Sequence, residues 1–179
     1  MPIGYALFPN KRVKNQTQTG YSAAAVNLFG AGDPTYKVGA IYIEFKNLAD
    51  PEDSVDAPEG FAKTVGREYY QALSAPYDYV RVPILFAPHA DIDPDVSSNF
   101  NNRLTWTAET TATLGAHGQE FSSGEYSKIF GLALVVTPDW DDYTKDIVIA
   151  RTYYDDVDDQ FLRPAVGGVR VGWQQTFSV

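Results

Sequence analysis

The sequence predicts a mainly β chain, an antiparallel two-sheet β-sandwich of the jelly-roll or Greek-key type with one short helix and an extended N-terminal arm. Three observations predict it. Apolar and polar residues alternate with a period of two along much of the chain. The alternation is clearest at the C-terminus, where Val169, Val171, Trp173, Gln175 and Phe177 oppose Arg170, Gly172, Gln174, Thr176 and Ser178. Long stretches rich in turn formers separate these runs, and only one segment carries the spacing of a helix. With 179 residues and a hydrophobic content of 44%, the chain is large enough for one well-buried core.

Residues 1–36 are short of acids, rich in Asn, Gln, Thr, Gly and Ala, and punctuated by Pro9, Gly20, Gly30, Gly32 and Pro34. They read as the arm, and residues 37–179 as the sandwich domain, so that deleting residues 1–35 is expected to leave the fold intact but abolish assembly. Tyr21 to Phe29 is compatible with a helical turn or a strand. From Val38, Ile41, Ile43 and Phe45 alternate with Tyr42 and Glu44 in a strand that ends at the turn-rich Asn47–Pro58. Phe61, Val65, Tyr69 and Leu73 then align on one helical face, although Gly66 costs roughly 1 kcal/mol against alanine.

Val80, Val82, Ile84 and Phe86 alternate next, and Pro83, which donates no backbone hydrogen bond, places that strand at a sheet edge or bulge. Leu104, Trp106, Ala108 and Thr110 form a threonine-rich strand. Ser122 and Glu125 have capping-box spacing before Tyr126–Phe130, predicting a helical turn that feeds the buried strand Gly131–Thr137. Ile147, Ile149, Arg151 and Tyr153 alternate with Val148, Ala150, Thr152 and Tyr154. This strand and the C-terminal one are expected to be antiparallel neighbours across the loop Asp155–Gly168.

The net charge of −9, from 23 acidic and 14 basic residues, repels phosphate backbones and anionic bilayers. No nucleic acid or membrane partner is expected. The basic cluster Lys11, Arg12 and Lys14 reads as part of a contact arm. There is no cysteine, which excludes disulfides and thiolate metal sites. The N-terminal MPIGYALFPNKR lacks the pattern of a secretory signal, so a cytoplasmic site of synthesis is expected.

Asp91, Asp93 and Asp95 have the D-x-D-x-D spacing that gathers oxygen ligands on calcium. However, Val96 and Asn102 stand where an EF-hand loop needs glycine and glutamate, so the reading adopted is a solvated acidic loop with no cofactor. The Asp155, Asp156, Asp158, Asp159 run and Asp139, Asp141, Asp142 read likewise as solvated, with a cation site or a surface for a basic partner as their functional versions. His89 and His117 lack zinc-helix spacing, and no nucleophile elbow or phosphate-binding glycine loop occurs. No catalytic residue is nominated, and a non-enzymatic role is expected. Trp140, Tyr143, Tyr153 and Tyr154 suit either a protein interface or, less directly, a sugar-stacking platform.

The run YIEFKNLADPEDSVDAP from Tyr42, GREYYQALS from Gly66, and the ending GLALVVTPDWDDYTKDIVIARTYYDDVDDQFLRP with VRVGWQQTFSV resemble small structural proteins of tailed-bacteriophage and prophage virions. The resemblance spans roughly residues 40–179 and carries over no functional residue. It implies a capsid decoration or cement protein, or a neck or tail component, assembled in the host cytoplasm and located in the virion. Its partners would be major capsid or tail proteins and further copies of itself. The expected interface residues are Tyr5, Leu7 and Phe8 as apolar anchors, Lys11, Arg12 and Lys14 as charged contacts, and Trp140 and Tyr143 on a loop. The competing expectation is a carbohydrate-binding sandwich that uses Trp140, Tyr143 and calcium at Asp91, Asp93 and Asp95.

Overall fold

The computed structural model describes residues 3–8, 11–14, 16–17, 21, 24, 35–50, 66–84, 89–91, 103–110, 126–154, 160–163 and 169–176. Among them the strands are β1 (Ile3–Phe8), β2 (Lys11–Lys14), β3 (Gln16–Thr17), β4 (Val38–Leu48), β5 (Tyr77–Pro83), β6 (His89–Asp91), β7 (Arg103–Thr110), β8 (Tyr126–Val136), β9 (Ile147–Tyr153), β10 (Phe161–Arg163) and β11 (Val169–Thr176). Tyr21 and Ala24 are helical, a helix α1 (Arg67–Ala72) precedes β5, and a 3₁₀ turn, Tyr143–Lys145, precedes β9. The described residues are therefore mainly β, in antiparallel sheets, with α1 as a short helix.

The strands form two sheets, one in the order β2-β1-β11-β7-β6 and one in the order β3-β9-β8-β4-β5, with β10 also paired to β8. Alternation on β4 aims Ile41, Ile43 and Phe45 at an apolar cluster that also takes Leu132 and Leu134 from β8, Trp106 and Ala108 from β7, and Val169, Val171 and Trp173 from β11. That cluster joins residues of both sheets and is the main core. Each strand supplies alternate residues to it, as a half-buried strand must.

Pro83 sits on β5, which ends the second sheet, so its missing N–H interrupts no ladder. Beyond it, the Ile84 N–H donates to the Gly39 carbonyl at 3.1 Å and Ile84 bridges to Ala108 of β7, carrying the chain from one sheet to the other.

The N-terminal segment read as an arm supplies three strands to this chain's own sheets where it is described. β1 pairs with β11 from Ile3↔Thr176 to Leu7↔Gly172, β2 pairs with β1, and β3 pairs with β9. β2 and β3 are short and polar and carry little hydrophobic pattern, whereas on β1 Ile3, Tyr5 and Leu7 do alternate, a signal the polar composition of the segment as a whole obscured.

Two further expectations are corrected. Tyr126–Phe130 is the first half of β8, not a helical turn, because it pairs along both β4 and β10, and ladder pairing outweighs a local capping signal. β9 and β11 lie in different sheets. After Tyr153 the chain resumes along β8 as β10, with Phe161 opposite Ile129, before β11 enters the other sheet. Phe61, Val65, Ser122, Glu125, His117 and the Asp155–Asp159 run lie outside the described residues.

Candidate functional site

The second face of the β4–β5–β8–β9 sheet is not wet. Period two places Tyr42 and Glu44 of β4 beside Arg81 and Tyr79 of β5, their register partners. On β9 a register shift between Leu134 and Val135 skips Ile149, so Val148 and Arg151, three residues apart, share this face while Ile149 joins the main core. The helix α1 covers it with Tyr69 and Tyr70, and Leu73 follows just past the helix end. The result is a tyrosine-rich layer, with rings 4.6 Å apart for Tyr42–Tyr79, 4.9 Å for Tyr42–Tyr70 and 5.1 Å for Tyr70–Tyr79.

Two ion pairs are set into this layer. Arg151 donates from Nε to Glu44 Oε1 at 2.7 Å and from Nη2 to Oε2 at 2.6 Å, both side chains being fully buried. The Tyr70 hydroxyl donates to Oε1 at 2.7 Å, so both oxygens of the carboxylate are occupied. The guanidinium also lies 4.8 Å from the Tyr69 ring centroid. A bidentate pair with added hydrogen bonds is the form in which a buried ion pair offsets its desolvation.

Gly131 lies opposite Glu44 on β8, and a Cβ there would stand 2.8 Å from Oε2. Because Arg151 and Tyr70 hold that carboxylate, it cannot yield. Gly131→Ala is expected to destabilise the fold by about 1–3 kcal/mol, measured by urea unfolding; a neutral substitution would mean that Glu44 is not fixed as described.

The second pair joins β5 to the β8–β9 loop. Arg81 donates from Nε to Asp146 Oδ2 at 2.7 Å and from Nη2 to Oδ1 at 2.9 Å, and the Tyr42 hydroxyl donates to the same carboxylate. Its remaining N–H groups reach the carbonyls of Trp140 and Asp139, and its guanidinium stacks 4.0 Å from the Trp140 ring centroid. Arg67 makes a second cation–ring contact with the loop. It donates to the Tyr79 hydroxyl at 3.1 Å and lies 4.9 Å from the Tyr143 ring centroid. On the loop surface Lys145 bridges Asp139 at 3.0 Å and Asp142 at 3.2 Å, and Asp142 caps the 3₁₀ turn by accepting from the Thr144 N–H at 3.1 Å.

Trp140 and Tyr143, 45% and 50% exposed, are the exposed large hydrophobic residues among those described. Each is braced from within by an arginine. Lys145 holds the Asp139 carboxyl below the usual range, and Thr144 with Lys145 does the same for Asp142, so this surface is anionic at neutral pH.

Burial pushes the hydroxyl pKa values of Tyr42, Tyr69, Tyr70, Tyr79 and Tyr154 upward, with nearby Asp146 adding for Tyr42 and Glu44 for Tyr69 and Tyr70. A group whose pKa is raised on folding stabilises the fold fully below its unfolded value. That stability is therefore lost as pH rises above about 10, the unperturbed tyrosine value. Tyrosinate absorbance should show one early-titrating class and a second that appears only with alkaline unfolding; a single class near the unperturbed value would contradict the burial of this layer.

The expected site residues fall in three places. β1 and β2 bring the apolar and basic sets together in one antiparallel pair, with Tyr5↔Lys14, Leu7↔Arg12 and Phe8↔Lys11 in register. Trp140 and Tyr143 are on the braced loop. Asp91 ends β6, while Asp93 and Asp95 lie outside the described residues. Among the described residues there is no group of three or more potential metal-ligating side chains, and no helix long and apolar enough to cross a membrane.

Sequence reasoning did not nominate Arg67, Arg81, Glu44 or Arg151. The available signal was the polar-aromatic half of the alternation on β4 and β5, Tyr42, Glu44, Tyr79 and Arg81, which reads as solvent-facing unless a helix is known to cover it. The chain matches no protein-family model, no curated protein and no solved structure.

Proposed function

We propose that the chain is a non-enzymatic structural protein of a virion. It acts as a capsid decoration or cement protein, or as a neck or tail component, that binds major capsid or tail proteins and further copies of itself, with assembly in the host cytoplasm. In this reading the two sheets pack face to face as a sandwich, supported by the apolar cluster they share. The observation that carries the functional proposal is the loop at residues 138–146. It exposes Trp140 and Tyr143 while Arg81, Arg67 and Asp146 hold it against the sheet. Exposed aromatic rings fixed before binding lose little entropy on contact, which suits a docking surface. The buried carboxylate of Glu44 is taken up by Arg151 and Tyr70, which favours a scaffolding role for that pair over proton transfer.

The test is to isolate particles from the producing cells by density banding and assay them for the chain. It should band with particles and label their surface in immuno-electron microscopy. A chain left entirely in the soluble fraction would overturn the reading.

The same exposed rings favour a second reading, a carbohydrate-binding module. Titration with soluble oligosaccharides, with calcium and with chelator, distinguishes it, since saturable binding lost in Trp140→Ala is expected only of the module.

A further inference from the structure

The two candidate contact surfaces of this chain carry opposite charge. The net charge of −9 divides into +3 over residues 1–32, where Lys11, Arg12 and Lys14 occur with no carboxylate, and −12 over the remainder. The three cations lie within β2, which among the described residues ends the first sheet and pairs with β1. On the other surface, Asp139, Asp141 and Asp142 outnumber Lys145 around Trp140 and Tyr143, while Asp146 is already neutralised by Arg81 beneath.

The basic strand and the acidic loop stand apart within one copy. β9 runs from the loop end at Ile147 to Tyr153, and β3 is antiparallel to it with Thr17 opposite Ala150 and Gln16 opposite Arg151, so the chain from Gln16 back toward β2 leads away from the loop, and β2 itself lies in the other sheet.

We propose that the basic edge strand Lys11–Lys14 of one copy docks on the acidic, aromatic 138–146 loop of a second copy, a head-to-tail contact. This rests on the assembly reading of that loop and names its occupant. Cations of the incoming strand meet the carboxylates and the outward faces of the Trp140 and Tyr143 rings, whose inner faces their own arginines occupy. Because the two surfaces differ, the contact is heterologous and propagates into a closed ring or an open filament.

Light scattering on the full chain tests this with two complementary variants. The strand variant combines Lys11→Glu, Arg12→Glu and Lys14→Glu; the loop variant combines Trp140→Ala, Asp141→Lys and Tyr143→Ala. The wild type should show a concentration-dependent mass at a multiple of 19.8 kDa. Each variant alone should self-associate at least about tenfold more weakly. An equal mixture should form a discrete dimer, since one intact strand then meets one intact loop. Asp141→Lys alone, at an exposed position, gives the same weakening in reduced degree and serves where the triple variant fails to fold.

A wild type monomeric at every concentration, variants that associate like the wild type, or a mixture that stays monomeric would overturn the contact. A monomeric chain that still bands with particles overturns this contact alone. Self-association by a chain absent from particles overturns the virion reading alone.

Discussion

Arg151→Met is expected to destabilise the protein by about 3–5 kcal/mol, a large part of the 5–15 kcal/mol that holds a domain of this size folded. The substitution keeps much of the side-chain volume and removes the charge, leaving the Glu44 carboxylate fully buried beside the Tyr70 and Tyr69 hydroxyls with no cation to balance it. The cost is that of an uncompensated buried charge, so it should be largely reversed by removing the other charge. Glu44→Gln in the Arg151→Met background keeps an oxygen for Tyr70 and is expected to recover most of the loss. Urea unfolding of the wild type, both single variants and the double variant gives the coupling energy directly. A double variant as unstable as the sum of the two singles would show that Glu44 and Arg151 do not act as a pair.

The main core was readable in the sequence because it follows the period of a strand without interruption. Ile41, Ile43 and Phe45 on β4 and Val169, Val171 and Trp173 on β11 all reach it. Pro83 was readable for a different reason: a residue without an N–H restricts its own position whatever surrounds it.

The tyrosine layer was not readable, because burial of Tyr42 and Glu44 depends on α1 and on Arg151, which is 107 residues from Glu44 along the chain. Nor was the side taken by Arg151. Plain alternation groups it with Ile149, and only the register shift that skips Ile149 turns it toward Glu44. The same holds for the candidate site. Trp140 and Tyr143 stand out as aromatics among acids, but the clamp that braces them joins Arg81 to Asp146 across 65 positions. Residue type selects the surface, and long-range pairing makes it rigid.

Deleting residues 1–35 is expected to abolish the folded state, in contrast to the expectation from composition that the fold would survive. The deletion removes β1 and β2 from beside β11, β3 from beside β9, and Ala24, which is fully buried in the main core. The five register pairs between β1 and β11 alone represent several ladder hydrogen bonds. Each contributes about 0.5–1.5 kcal/mol net, so their loss alone removes about half the stability of a domain, before the loss of β2, β3 and Ala24.

Exposure of β11 adds a second penalty. It carries Val169, Val171 and Trp173 into the core, and an unpaired apolar edge templates aggregation. The truncated chain should therefore be insoluble, or lose its cooperative thermal transition by circular dichroism. A soluble truncated chain with a cooperative transition near that of the full chain would show that β1–β3 are an appendage, and would restore the N-terminal segment to the role of an arm. The triple substitution Lys11→Glu, Arg12→Glu and Lys14→Glu is thus the proper probe of the basic surface, because it keeps the backbone that β1 and β2 contribute while inverting the charge.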